Sequence, residues 1–151
     1  MSYINELVGK AKIAQNSIAT ASTKKKNNAL IAIAESLCEN ASTIIAQNGI
    51  DIDNAINNDM SVSMQDRLML NEARIKSISD AVIQLTKLDD PIGSTISGSI
   101  RPNGLRISKI RVPLGVIGII YESRPNVTVD AATLCLKAGN TVILRGGKEA
   151  Y

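Results

Sequence analysis

The sequence predicts an α/β protein with helices first, a β-hairpin next and a strand–helix–strand unit last. Three observations support this class. Apolar residues recur at helical spacing over residues 1–90, and Gly, Ser, Thr and β-branched residues replace that period over 91–113. A run that is apolar at nearly every position, LGVIGIIY, then opens the segment 114–151. Such a run is typical of a strand covered on both faces in a parallel sheet.

Apolar periodicity predicts the helices of the first ninety residues. The first spans about Tyr3 to Ala21, and a second begins after Ser22 and Thr23 and ends before Gly49. A short helix is expected over residues 50–58. Asn71 is expected to cap a further helix, which Asp89–Asp90–Pro91 terminates. The basic run Lys24–Lys25–Lys26 is interpreted as a solvated turn.

The hairpin is predicted from two β-branched runs, residues 93–100 and 105–112, joined through Asn103–Gly104. The phase of the apolar residues changes between Ser108 and Lys109, which predicts a β-bulge there. A strand over 114–121, a helix over 125–138 and a strand over 140–144 then form a βαβ unit.

A strand without a polar face needs covering layers, and one βαβ unit supplies only part of them. We therefore expect the chain to be the front section of a larger, incomplete domain. The alternative is a complete domain in which the N-terminal helices wrap the small sheet.

Composition excludes several kinds of site. The chain contains no His, Phe or Trp and only three Tyr, so it has no Ser-His-Asp or Cys-His pair, and it lacks the aromatic platforms of single-stranded nucleic-acid binders. Cys38 and Cys135 form no CxxC motif, so no metal site is expected. With no signal peptide and no long apolar run, the chain is expected to be cytoplasmic, without membrane or nucleic-acid partners.

Charge is concentrated towards the end of the chain. Residues 101–151 carry eight basic and three acidic side chains, whereas the whole chain has a net charge of +3. This excess suits an anionic small molecule, a nucleic acid or simply a solvated face.

The sequence Arg145–Gly146–Gly147–Lys148–Glu149 follows the last predicted strand and is a candidate phosphate site. Glycines let backbone amides approach an anion, and the flanking Arg and Lys supply positive charge. It is neither a Walker A nor a GxGxxG motif, and an ordinary βα turn is the alternative.

A second polar cluster, residues 122–126, follows the strand over 114–121. Ligands of α/β sheets bind outside the carboxyl ends of the strands. Arg124 and Asn126 are placed there to hold a carboxylate or to polarise a carbonyl group. The alternative is that Ser123 caps the following helix and leaves Arg124 in solvent.

At these residues the sequence resembles a known family. YESRPNVT (121–128), KAGN (137–140) and ILRGGKEA (143–150) resemble the gamma-glutamyl phosphate reductases, or glutamate-5-semialdehyde dehydrogenases, of proline biosynthesis. The stretches Asp66–Leu68 and Asn71–Ile75 also resemble that family's N-terminal helices. The resemblance implies the aldehyde dehydrogenase superfamily. In that superfamily this chain would supply the N-terminal helices and the first βαβ part of a Rossmann-like, dinucleotide-binding cofactor domain.

The same resemblance implies an oxidoreductase that reduces L-glutamyl 5-phosphate with NADPH to L-glutamate 5-semialdehyde. A cysteine thiolate would displace phosphate to give a thioester, which hydride then reduces. It implies Arg145, Gly146, Gly147, Lys148 and Glu149 as NADP-binding residues and Arg124 and Asn126 as substrate-side residues. No catalytic residue is expected in this chain, since the nucleophilic cysteine is expected downstream of Tyr151.

Cys135, between two leucines on a helix, is expected to be a core thiol. The resemblance also implies a homo-oligomer that contains an oligomerising hairpin. The alternative function is a non-catalytic nucleotide-binding or interaction module.

Overall fold

A computed structural model of the chain describes residues 3–122 and 124–147. It confirms the α/β class and the predicted order of helices, hairpin and βαβ unit. The elements are α1 (Tyr3–Ala19), α2 (Thr23–Glu39), α3 (Ala41–Asn57), α4 (Val62–Leu68), α5 (Glu72–Lys87), β1 (Thr95–Ile100), β2 (Arg106–Ile110), β3 (Val116–Ile120), α6 (Pro125–Lys137) and β4 (Thr141–Arg145).

The second and third helices divide at Asn40 and not at Gly49. Asn40 leaves helical geometry with φ −98° and ψ 12°, and its side-chain amide donates to the Ser36 carbonyl at 2.8 Å. Gly49 lies in the middle of α3, where a glycine costs only about 1 kcal/mol relative to alanine. The predicted separate helix over 50–58 is therefore wrong, and those residues complete α3. Apolar periodicity did not predict the helix α4, whose last residues, Asp66–Leu68, were related to helices only through the family resemblance.

Helices α2, α5 and α6 enclose the main core. Leu30 and Ala34 of α2 meet Val82 of α5, and Val129 and Leu136 of α6 pack against this group. The Ser79 hydroxyl of α5 donates to the Ala34 carbonyl at 2.9 Å, so the polar atom within this interface is satisfied. This packing ties the helix of the βαβ unit to the N-terminal helices.

A buried ion pair fixes the start of α2. Lys26 is 2% exposed and its Nζ lies 2.6 Å from Oδ2 of Asp90, whose carboxylate also accepts from the Thr23 hydroxyl. The interpretation of this basic run as a solvated turn is wrong in that all three lysines lie in the first turns of α2; Lys24 and Lys25 are exposed, as expected, whereas Lys26 is buried. Since a cation near a helix N-terminus is disfavoured by the helix dipole, Asp90 supplies the compensating charge.

The strands form two separate pairs. β1 and β2 pair antiparallel, whereas β3 and β4 pair parallel with Val116 opposite Thr141 and Ile120 opposite Arg145. The irregularity of the hairpin lies between Thr95 and Ser97 of β1, where the chain advances two residues against one on β2. The predicted bulge in β2 is therefore wrong: the extra residue is on the opposite strand.

The βαβ unit has the predicted helix boundaries and is held by the first helix. Pro125 begins α6, and Gly139 follows its end with φ +69° in a place where a Cβ atom would lie 3.1 Å from Cγ of Pro113. From α1, the Gln15 amide donates to the Gly139 carbonyl at 3.1 Å, and its oxygen accepts from the Thr141 amide at 2.9 Å. One side chain thus joins α1 to the start of β4.

The chain exposes more surface than its mass predicts for a compact monomer. The accessible area is 10116 Å², against about 7,400 Å² from the scaling of folded monomers. Part of the excess is apolar: Leu114 and Ile120, at the two ends of the β3 run, are 87% and 86% exposed. The strand is therefore only partly covered, as expected of a single βαβ unit: no residue of β3 is buried, and in the described ranges it pairs along one edge only, with β4.

Within residues 3–122 and 124–147, no single helix has the length and hydropathy needed to cross a membrane; α2 and α3 meet that test only when taken together, and they bend by 67° at their junction.

Candidate functional site

The two predicted polar clusters lie at the same edge of the parallel strand pair. Ile120, the last residue of β3, is opposite Arg145, the last residue of β4, and the Tyr121 amide donates to the Arg145 carbonyl at 3.1 Å. The chain then passes through Glu122 to Arg124 at the start of α6. Both clusters therefore leave the carboxyl ends of adjacent parallel strands, which is where α/β sheets bind ligands.

On the β4 side, an exposed arginine is followed by a glycine beneath an aromatic ring. The Arg145 side chain is exposed, and a Cβ atom at Gly146 would lie 3.5 Å from the Tyr121 hydroxyl oxygen. That hydroxyl is in turn 2.6 Å from Oγ1 of Thr128. A guanidinium beside two glycines is a donor set that suits the phosphate groups of a dinucleotide. Lys148 and Glu149, the other two predicted cofactor residues, lie outside the described residues.

On the β3 side, Arg124 occupies the N-cap position of α6 and makes no side-chain capping bond. Its side chain is 45% exposed, and Asn126 is exposed in the first helical turn. Ser123, the predicted alternative cap, lies outside the described residues. An arginine has no acceptor atom for the free amides of a helix N-terminus, so the Arg124 guanidinium is available to other groups.

Arg124 lines an open cleft of about 460 Å³ between α4, α5 and the start of α6. The polar side chains that line it are Asp66, Arg67, Arg74, Ser77, Arg124, Asn126 and Asp130. The structure thus places both substrate-side candidates, Arg124 and Asn126, on the wall of a single cleft.

The short helix α4 is held in place by polar side chains from its neighbours. Asn48 of α3 is 5% exposed; its amide donates to the Leu68 carbonyl at 3.0 Å, and its oxygen accepts from the Leu70 amide at 2.7 Å. Arg74 of α5 donates to Asp66 and to the Met69 carbonyl, both at 2.8 Å. Because these bonds fix the end of α4, they also fix the position of Arg67 on the cleft wall.

Arg67 and Arg124 approach one carboxylate without making a close ion pair. Nη1 of Arg67 is 4.0 Å and Nε of Arg124 is 3.9 Å from Oε2 of Glu122. Elsewhere on the cleft wall, the Asn126 amide lies 3.4 Å from Oδ2 of Asp130, one turn further along α6.

The thiols of the described residues do not provide a nucleophile for this cleft. Cys135 is 7% exposed, and burial raises the pKa of its thiol, which lowers the thiolate fraction at neutral pH. Cys38 is exposed on α2 and is absent from the lining of the cleft. In the part of the chain that the structure describes, no group of three or more His, Cys, Asp or Glu side chains is arranged to hold a metal ion.

Sequence reasoning missed the residues that α4 and α5 bring to the cleft. Arg67 lies on a helix that was not predicted, so no spacing rule related it to Arg124, which is far away in sequence. Asp130 could have been found from spacing, because it follows Asn126 by four residues on a predicted helix and side chains at that spacing are neighbours.

The fold belongs to the aldehyde dehydrogenase class. A probable aldehyde dehydrogenase from Listeria monocytogenes matches it with a TM-score of 0.69 over 97% of this chain and 30% of that chain. At 16% sequence identity, this likeness shows the fold alone. No protein-family model matches the chain.

Within that class the chain is similar to the gamma-glutamyl phosphate reductases, which confirms the resemblance found in its motifs. It is 57% identical to the gamma-glutamyl phosphate reductase of Clostridium perfringens over 97% of its length and 53% identical to that of Carboxydothermus hydrogenoformans over 100%. The crystal structure of the Thermotoga maritima enzyme matches with a TM-score of 0.96 at 44% identity, and that of the Saccharomyces cerevisiae enzyme with 0.94 at 30%.

The chain spans only part of each relative. It covers 36% of the length of the Clostridium and Carboxydothermus proteins, 36% of the Thermotoga chain and 38% of the yeast chain, although each structural match covers 99% of this chain. The activity of a whole reductase is therefore a matter for proposal.

Proposed function

We propose that this chain supplies the substrate-side wall and the first cofactor-binding strands of an enzyme that reduces L-glutamyl 5-phosphate to L-glutamate 5-semialdehyde with NADPH. The observation that carries the proposal is the location of the cleft. It opens beside the start of α6, the helix that follows β3, and in a chain 57% identical to a gamma-glutamyl phosphate reductase it is lined by three arginines and two aspartates. An acyl phosphate that also carries a carboxylate is an anionic substrate, and such a wall attracts it.

Arg124 and Asn126 have distinct roles in this proposal. Arg124 holds an anionic group of the substrate, because its guanidinium is half-exposed on the cleft wall and makes no close ion pair in the described residues. Asn126 turns its amide N–H towards the reacting acyl group and stabilises the negative charge that develops on its oxygen. Asp130 orients that amide through the contact at 3.4 Å.

The cofactor belongs at the end of β4. Bound NADPH would supply the hydride. Arg145 is expected to contact the 2′-phosphate of the adenosine ribose, and Gly146 and Gly147 would let the backbone approach the cofactor closely. Lys148 and Glu149 continue the same motif and are proposed as further contacts to the ribose and its phosphate. Support comes from the exposure of Arg145 at the carboxyl end of a parallel strand.

The nucleophilic thiolate is proposed to come from the part of the enzyme that this chain does not match. Cys135 is unsuited because it is buried in α6 and its thiol has a raised pKa. The reaction therefore needs residues from the remaining length of the relatives, and this chain by itself is expected to be inactive.

We also infer a homo-oligomer in a reducing, cytoplasmic compartment. The hairpin supports the first point, because apolar side chains on both of its strands, such as Ile100 and Ile107, are exposed. The second is supported by Cys38, which is an exposed free thiol.

A chimeric enzyme tests the proposed function. This chain would replace the matching segment of the Clostridium perfringens reductase, and NADPH-dependent reduction would be compared with that of the parent enzyme. We expect activity within about tenfold of the parent, since more than half of the positions are identical. A folded chimera with no activity would contradict the proposal.

The cofactor assignment has its own test in the chimera. Arg145→Ala is expected to weaken NADPH binding about tenfold or more and NADH binding very little, because only NADPH carries the 2′-phosphate. Equal losses for both cofactors would contradict the role of Arg145. The alternative function, a non-catalytic nucleotide-binding module, predicts NADPH binding without turnover.

A further inference from the structure

We propose that Arg67 and Arg124 form a two-armed oxyanion subsite in the cleft, and that Glu122 occupies this subsite when no substrate is bound. The inference rests on the proposed function and names the residues that would recognise an anionic group of the substrate. That group is either the phosphoryl group or the α-carboxylate, both of which present oxygens to paired guanidinium groups.

The first argument is the convergence of two arginines from distant parts of the chain. Arg67 ends α4, Arg124 precedes α6, and both line the same cleft. Their side chains are 50% and 45% exposed, so each keeps solvent-accessible donors while its position is fixed by the surrounding helices. Two half-exposed guanidinium groups on one wall make a site for an anion.

The second argument separates these arginines from Arg74, which lines the same cleft. The guanidinium of Arg74 is already engaged by Asp66 and by the Met69 carbonyl at hydrogen-bonding distance. Arg74 therefore positions α4 and contributes little free charge. Arg67 and Arg124, by contrast, meet an acidic group within 4.0 Å only at Glu122 in the described residues, at distances of 4.0 Å and 3.9 Å.

The third argument is the length of those two contacts. A charge-assisted hydrogen bond between a guanidinium and a carboxylate is normally about 2.7–2.9 Å. Glu122 is 73% exposed and lies about 1 Å beyond that distance from both partners, so it neutralises them without satisfying their donors. An oxyanion that bonds both guanidiniums directly would displace it.

Exchange of Glu122 for a substrate oxyanion predicts competition. With the carboxylate removed, the two arginines repel each other more strongly and attract an external anion better. With either arginine removed, the anion loses one of its two arms. The opposite signs of these two effects distinguish a binding role from a structural role, because a structural ion pair would be weakened by loss of either partner.

The test uses the chimera described above and inorganic phosphate as the probe. Binding of phosphate would be measured by calorimetry, and the KM for phosphate would be measured in the reverse reaction. That reaction consumes glutamate 5-semialdehyde, NADP and phosphate. Arg67→Ala and Arg124→Ala are each expected to weaken phosphate binding and raise this KM about tenfold. Glu122→Gln is expected to strengthen binding and lower the KM about threefold.

Arg67→Lys and Lys24→Ala complete the set. The lysine variant keeps the charge and is expected to recover part of the affinity. Lys24→Ala removes one positive charge from an exposed position on α2 and is expected to change nothing. The same measurements with L-glutamate in place of phosphate identify the bound group. If Arg67→Ala weakens the binding of glutamate alone, the subsite holds the α-carboxylate. If it weakens the binding of phosphate alone, the subsite holds the phosphoryl group.

The subsite is refuted if Arg67→Ala binds both phosphate and glutamate within twofold of Lys24→Ala, or if Glu122→Gln weakens binding. The calorimetric measurements with phosphate and glutamate need no turnover, so the subsite and the proposed function can fail separately. A chimera that binds phosphate through Arg67 but does not reduce glutamyl phosphate would contradict the proposed activity alone. An active chimera in which the variants of Arg67 behave normally would contradict the subsite alone.

Discussion

Asn48 is expected to control the local stability of α4 and hence the placement of Arg67. In Asn48→Ala the Leu68 carbonyl and the Leu70 amide both lose their partner, at 3.0 Å and 2.7 Å in the structure. Leu68 is fully buried, so water replaces the lost bond to its carbonyl poorly. At about 1–2 kcal/mol for each unsatisfied group, the local free energy of opening falls by about 2–4 kcal/mol.

This loss is measurable as amide hydrogen exchange in the chimera. Since 1.4 kcal/mol corresponds to a factor of ten, exchange of the Leu70 amide and of peptides covering α4 should accelerate about 30- to 700-fold. Asn58→Ala is the matched control, because Asn58 is exposed and bonds only within its own helix end. If Asn48→Ala accelerates exchange in α4 by less than about threefold, or no more than Asn58→Ala does, the reasoning is wrong.

Three further predictions concern the ion pair, the thiols and the exposed surface. Burial raises the pKa of Asp90, but the bonds from Lys26, Thr23 and the Ile92 amide outweigh it and hold that pKa below its usual value of 3.8. The contribution of Asp90 to stability is therefore complete above about pH 5 and is lost as the pH falls through and below 4. In Asp90→Asn the free energy of unfolding should fall less steeply over this acidic range. Asp89→Asn, at an exposed neighbouring position, should leave that pH dependence unchanged. In the native chain an aromatic disulfide reagent should label exposed Cys38 at least a hundredfold faster than buried Cys135, and equal rates would show that α6 opens readily. Because the isolated chain exposes an area of 10116 Å², it should self-associate with rising concentration in sedimentation, and a sharp two-state melt of a monomer would contradict this.

The sequence predicted the elements whose signals are local. Asn71 caps α5 with its side chain on the Arg74 amide, Pro125 begins α6, and Gly139 follows its end, all as expected. Each of these positions depends on the conformational preference or the hydrogen bonds of one residue, which are present in the sequence itself. The parallel pairing of β3 and β4 also follows from a short rule, because a helix connects them.

Tertiary contacts decided the elements that were predicted wrongly. Gly49 continues a helix despite its low propensity, and Asn48 beside it anchors α4 through two hydrogen bonds. Lys26 is buried because Asp90, remote in sequence, lies where its ammonium group emerges. Local spacing in the sequence does not reveal either contact, since each one joins two segments that are far apart in the chain.

The candidate site shows the same division. Arg124, Asn126 and Arg145 could be predicted because they follow strands, and in α/β proteins the ends of strands meet at one edge. Arg67 could not, because its place in the cleft depends on how α4 packs against α3 and α5.

The bond between Gln15 and Thr141 has a consequence for synthesis on the ribosome. The two residues are 126 positions apart, so α1 leaves the ribosome long before its partner strand exists. At a translation rate of about 5–20 residues per second, roughly 6–25 s pass between the synthesis of α1 and the synthesis of β4. During that interval the face of α1 that packs against β3 and β4 is uncovered, and its burial coincides with completion of the βαβ unit.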